Sequence, residues 1–343
     1  MKILSTYLCL LLLLISFSSK AQLTDEQILQ IDSLKEAFSL AKHDTIKINA
    51  LSDWADIIYT TDPELDLELN LQIEDVCENN LKNKLNAFEI KKFKTFLVIS
   101  YNNIGNFHKD QSNYEKALGY FGKSLKIGCD LGDKKGMADS YSNFGTIYHN
   151  QGNYEKALEY YSKSLAISEE LGDKKRISSA LNNIGLIYNN QCNYEKALEF
   201  YSKSLYIRKK IANKKGMADS FSNIGTIYHS QGSYEKALEY YSKSLEISEK
   251  LGDKYGMGDS YNNIGLISNE QGNYEKALDY LIKSKNIMQE INTIANLDET
   301  SKSLSEVYKK LGNYKQALEM HELYMETKDS IAKMDAEEEL YKF

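Results

Sequence analysis

The sequence predicts an all-α fold, a solenoid of stacked antiparallel helix pairs, and three observations carry the prediction. A block of forty residues recurs six times in one register. Within each block, apolar residues fall at helical spacing in two runs separated by short polar turns. Pro63 is the one proline in 343 residues, so almost nothing interrupts helix.

Composition agrees with a folded chain. It is 42% hydrophobic and 27% charged, outside the disordered range. The formal net charge of -7 repels phosphate backbones, so nucleic acid is not an expected partner. The pairs Lys134-Lys135, Lys174-Lys175 and Lys214-Lys215 sit at turns and read as solvated residues rather than a basic stripe.

The chain opens on a targeting segment. Lys2 supplies a basic start, Leu8 to Phe17 an apolar stretch, and Ser19-Lys20-Ala21 a small-residue cleavage site. The apolar run is shorter than the ~20 residues a membrane helix needs. Residues 1–21 are therefore expected to be a signal peptide cut after Ala21, with export to the periplasm or beyond. Cys9 leaves with it. The remaining Cys77, Cys129 and Cys192 cannot form a complete disulfide framework and read as buried or incidental thiols. Cys192 stands in a turn column otherwise held by Gly152, Gly232 and Gly272.

Residues 22–94 predict an N-terminal helical cap with a degenerate repeat. Thr24 begins a helix reaching Ala41, and Gln27 completes a capping box. Ile28, Ile31, Leu34, Phe38 and Ala41 share one face of it. Residues 44–81 read as a helix pair in which Asp62 caps and Pro63 opens the second helix. Trp54 is expected to pack against neighbouring helices.

Residues 95–330 predict six repeat units. Tyr114, Tyr154, Tyr194, Tyr234, Tyr274 and Tyr314 each open the same block. In one unit Asp133 caps a first helix ending near Gly152, Asn153 caps a second from Tyr154, and Gly172-Asp173 ends it. Two short amphipathic helices cannot bury their faces alone, so units must stack. An eighty-residue super-period overlies the forty, as duplication of a pair of units would leave it.

The pattern Tyr141-x2-Phe144-Gly145-x2-Tyr148, followed by Ala157-x3-Tyr161, resembles the tetratricopeptide repeat, with Tyr for its Trp. The resemblance implies a right-handed superhelical solenoid. The unit is longer than the family's ~34 residues and lacks its terminal proline, which makes it similar to kinesin light chains and bacterial regulatory repeat proteins. Residues 331–343 read as a charged helical tail. Tyr324-x3-Lys328-Asp329-Ser330-Ile331 resembles the segment closing the periplasmic repeat region of Bacteroidetes envelope sensors.

The family's first helices line a concave groove. That resemblance puts Asn103, Asn143, Asn183, Asn223 and Asn263 on the groove, each two residues before a column position held by glycine. Asn102, Asn182 and Asn262 lie beside them, with Ser142 and Ser222 in the alternate units. Thr146 and Thr226 follow one turn on, then His149, Asn189 and His229. An amide both donates and accepts, so such a ladder can hold a peptide backbone, or satisfy neighbouring helices instead. Asp139, Asp219 and Asp259, one turn earlier, favour a neutral or basic ligand over a carboxylate terminus.

His149 and His229 stand two units apart, too far to share one metal ion. No acid–base–nucleophile set or phosphate loop is visible. The sequence thus predicts no enzyme, no metal and no small-molecule cofactor. It predicts an exported scaffold holding a protein or peptide segment, or alternatively the sensory half of a signalling system acting through a separate kinase or transcriptional regulator. Open solenoid ends can pair, which allows a homodimer.

Overall fold

A computed structural model describes residues 23–291, 293, 294 and 297–340. The signal-peptide expectation, Cys9 included, lies outside the described residues. Among them are fifteen α-helices and no strand. They are α1 (Asp25–Leu40), α2 (Asp44–Ile58), α3 (Pro63–Leu81), α4 (Ala87–Asp110) and α5 (Tyr114–Leu131). Then come α6 (Lys134–Asn150), α7 (Tyr154–Glu170), α8 (Lys174–Asn190), α9 (Tyr194–Lys210) and α10 (Lys214–Ser230). The last are α11 (Tyr234–Leu251), α12 (Lys254–Glu270), α13 (Tyr274–Glu290), α14 (Leu297–Lys310) and α15 (Tyr314–Leu340). From α4 onward they alternate as the first and second helices of antiparallel pairs. The chain divides into two compact units, residues 1–140 and 141–343.

Local chemistry sets each boundary. Thr24 accepts from the Gln27 backbone while Gln27 reaches back to Thr24, a complete capping box. Asp62 accepts from Leu65 N–H with Pro63 at the helix start. Asn86 and Glu89 form a second capping box, which starts α4 at Ala87, ahead of the residue-95 boundary expected from the repeat. In the repeats, Asn153 accepts from Lys156 N–H and Asp173 from Arg176 N–H. Gly152 at φ +72° and Gly172 at φ +66° end the preceding helices in left-handed geometry. Cys192, in the same turn column, takes φ +57° despite its side chain. Nothing breaks helix after residue 330, and α15 runs on to Leu340.

In the first unit, α1 to α4 close over Ile31, Ile48, Leu51, Ala55, Leu69, Ile73, Cys77, Phe93 and Leu97. Trp54 packs at the edge of this core, with Lys35 Nζ 5.2 Å from its ring centre. In the second unit one device repeats. The ring of Tyr161 on α7 sits against Gly145 of its own first helix and against Ile184 and Ile187 of the next. Tyr201 does the same between Gly185 and Ile224 with Ile227. Tyr241 does so between Gly225 and Ile264 with Ile267. Each buried ring contributes roughly 1.5–3 kcal/mol and ties one pair to the next.

Candidate functional site

The expected ladder lies on first helices, one residue set per pair. In the second unit Asn143 (α6), Asn183 (α8), Asn223 (α10) and Asn263 (α12) are all half-buried. They fall at the same helical position because the repeat has no insertions. Their bonding differs from unit to unit. Asn223 Nδ2 donates to Asn182 Oδ1 at 3.1 Å, joining α10 to α8. Asn263 Nδ2 donates to Asp259 Oδ2 at 3.2 Å within α12, and Ser222 Oγ donates to the same oxygen at 3.1 Å. Asn262 is buried and accepts from Thr300 Oγ1 at 2.9 Å. The side chains of Asn143, Asn183 and Asn189 make no hydrogen bond among the described residues.

The residues one turn on are partly committed to the core. Thr146 Oγ1 donates to Ser142 O and lies 3.1 Å from the Tyr161 hydroxyl. Thr226 repeats this with Ser222 O and the Tyr241 hydroxyl, also at 3.1 Å. Burial pushes the pKa of both tyrosines up, so their hydroxyls remain neutral donors or acceptors. His149 Nε2 faces the donor Asn190 Nδ2 at 2.8 Å, and burial pulls its pKa below the ordinary histidine range. The neutral tautomer with the proton on Nδ1 fits that contact. His229 Nε2 meets Glu270 Oε2 at 2.9 Å instead. Each histidine thus bridges its own pair to the next one.

In the first unit Asn103 Nδ2 donates to Asn70 Oδ1 at 3.2 Å, and Asn102 Oδ1 is buried without a partner. Asn70 in turn donates to the Asp66 carboxylate at 2.9 Å. Asp66 is 4% exposed, and burial raises its pKa to about 6. This polar core was not foreseen. Counted from the helix start, Asp66 and Asn70 of α3 stand where α7 has Ala157 and Tyr161.

Arg208 was also missed. It is the one charged residue in the first five positions of a column whose other members are Gly128, Ser168, Ser248 and Met288, with Lys328 in the sixth. That departure was the available signal. Its Nη1 reaches Gly216 O at 2.5 Å, Ser220 Oγ at 2.9 Å and the ladder residue Asn182 Oδ1 at 3.4 Å.

Among the described residues no group of three or more His, Cys, Asp or Glu side chains is placed to hold a metal ion. No described helix is long and apolar enough to cross a membrane. Cys77 is buried, with its thiol pKa pushed up to about 12, whereas Cys129 and Cys192 are exposed and free.

Comparison with known proteins gives a consistent picture. A family model described as a tetratricopeptide repeat matches residues 96–171, 176–250 and 256–330. No curated protein matches the chain. Three solved structures illustrate its likenesses. BtubC from P. vanneervenii is 20% identical, over 64% of this chain and 92% of that one, with TM-score 0.56. Aspartyl phosphate phosphatase F from Bacillus subtilis is 14% identical, over 91% and 96%, with TM-score 0.59. A Rap protein complexed with competence and sporulation factor is 15% identical, over 90% and 99%, with TM-score 0.51. At these identities the likeness is one of fold.

Proposed function

We propose, from the fact that this chain belongs to the tetratricopeptide-repeat family, that it is a non-catalytic scaffold holding an extended polypeptide segment on its first-helix face. One observation carries the reading. Asn143 and Asn183 stand in register on successive first helices, half-buried and without a side-chain partner. Mid-helix asparagine lowers helix propensity by about 0.7 kcal/mol relative to alanine, and these two amides make no hydrogen bond among the described residues to offset it. Spaced one unit apart, they can donate to and accept from the backbone of a segment lying across the helices. Backbone recognition of this kind is tolerant of side-chain sequence.

The N-terminal sequence, read as a signal peptide, supports an exported location for this binding, the periplasm or beyond. A role as the input half of a signalling system, passing the bound state to a separate protein, is the second reading. It rests on the closing segment from Tyr324 to Ile331. The Rap protein of similar fold was solved with competence and sporulation factor, and carrying such a role to this chain belongs to the same proposal.

The test is selection of a random peptide display library on the immobilised full chain. Affinities of the recovered peptides are then measured on the double variant Asn143→Ala/Asn183→Ala. The expected result is a loss of about tenfold or more at unchanged helicity, as two lost hydrogen bonds imply. Equal affinity for both proteins would remove the amide ladder from the binding site.

A further inference from the structure

We infer that the chain assembles head to tail with copies of itself, the open face of α15 in one copy receiving the outer face of α1 in the next. The inference concerns surfaces away from the asparagine ladder and does not rest on the polypeptide-binding reading. Four observations lead to it.

The first is a face that stays open at the last helix. Within the second unit, α7, α9 and α11 each turn one stripe toward the first helix of the next pair. Tyr161, Tyr201 and Tyr241 are sealed there by isoleucines of that helix. The same stripe of α15 is Tyr314, Leu318, His321, Met325 and Lys328, which share one side of the helix. All five are exposed, Tyr314 at 70%, Leu318 at 58% and Met325 at 42%. Leu158, Leu198, Leu238 and Leu278, in the column of Leu318, are all partly buried. Among the described helices α15 has backbone contact with α14 alone. The end unit of a free-standing solenoid carries a polar outer face, which this one does not.

The second is the outer face of α1. Ile31 and Phe38 turn one side of α1 into the core of the first unit. The opposite side carries the stripe Leu29, Ser33, Glu36 and Leu40, with Leu29 72% and Leu40 70% exposed. Among the described helices α1 has backbone contact with α2 alone.

The third is register. Lys328 stands in the column of Ser248. A Cβ on Gly256, the third residue of α12, would lie 2.6 Å from Ser248 Oγ. An antiparallel helix docked on α15 in that internal register therefore sets its first turn on Lys328. With α1 in that place, Leu29 falls opposite Met325, Ser33 opposite His321 and Leu40 opposite Tyr314. Both stripes step by four and then seven residues, so the three pairs form together. The small Ser33 leaves room for the imidazole between two apolar pairs.

The fourth is charge. The first turn of α1 carries Asp25 and Glu26, which this register brings to Lys328. A second α15 in place of α1 would bring Lys315 to that end instead. Two α1 helices would set Asp25, Glu26, Asp32 and Glu36 against the same four acids. Charge thus favours the pairing of unlike ends over either symmetric one. Such a heterologous contact leaves one open end on each outer copy, so assembly proceeds until a ring closes or as an open array.

The experiment is sedimentation velocity on the purified full chain from about 1 to about 100 µM. The expected result is a mass that rises with concentration. Leu29→Glu spoils the α1 end and Leu318→Glu the α15 end. Both positions are exposed, so helicity should be unchanged. Each variant alone is expected to associate at least about tenfold more weakly than the parent. Mixed in equal amounts, the two variants should give a one-to-one dimer and nothing larger, since each supplies the end the other has lost. A parent chain that stays monomeric throughout would overturn the inference. So would self-association of Leu29→Glu, which would mean α15 pairs with α15, or of Leu318→Glu, which would mean α1 pairs with α1. Absence of the mixed dimer would overturn it as well. None of these outcomes touches the peptide-binding test.

Discussion

The ring of Tyr161 fills the space a side chain on Gly145 would need: a Cβ there would stand 2.6 Å from a ring carbon. Tyr161 is 3% exposed and held by Ile184 and Ile187 of the next pair, so the ring cannot step aside freely. Gly145→Ala is therefore expected to destabilise by about 1–3 kcal/mol, overpacking exceeding the gain in helix propensity. Gly122 is the control, because its Cβ would meet nothing within 4 Å in the interior of α5. Gly122→Ala should stabilise by up to about 1 kcal/mol. Urea melts of the two variants check the pair of opposite signs.

At Cys192 the sign reverses. Its φ of +57° is left-handed geometry that glycine takes without strain, as Gly152 and Gly232 do in the same column. Cys192→Gly is expected to stabilise by roughly 0.5–1 kcal/mol, the relief of strain being partly offset by a freer unfolded chain. Thermal unfolding of the reduced proteins measures it. A loss of stability would mean the exposed thiol makes a contact of value.

Asp66 gives the first unit a pH dependence of definite sign. Burial foremost raises its pKa from 3.8 to about 6; Asp56 adds to the shift and the bond from Asn70 opposes it. The folded state thus holds the proton more tightly than the unfolded chain. Stability is greatest at low pH and falls as pH rises from about 4 to about 6, by at most about 3 kcal/mol. Asp66→Asn keeps an acceptor for Asn70 and removes the titration. The variant should gain stability over the parent at pH 7 and lose that advantage near pH 4. An advantage independent of pH would show that Asp66 does not titrate in this range.

Much of this was readable before any coordinates. Period, cap residues and turn glycines are local signals, and Thr24, Asp62, Asn153 and Asp173 all cap the helices their sequence positions suggest. Tyr161, Tyr201 and Tyr241 were legible as core because their column is periodic with a glycine column. What was not legible depends on which side chains meet across pairs. Five asparagines in one column look alike, yet Asn223 is bonded to Asn182 while Asn143 and Asn183 make no side-chain hydrogen bond among the described residues. Their difference comes from neighbours forty residues away. Asp66 and Asn70 escaped notice because the cap region departs from the forty-residue register, so no column exposed them as polar substitutes in a core.

The amide ladder can be probed at the residues themselves. A photoreactive amino acid is placed singly at residue 143 or 183, or at Ser162 or Ser202, which are exposed on the second helices. Each protein is irradiated with a display-selected peptide and the crosslinked fraction measured. Crosslinks are expected from 143 and 183 and not from 162 and 202. Crosslinking from the second-helix positions, with none from 143 and 183, would put the ligand on the other face and contradict a binding site built on free first-helix amides.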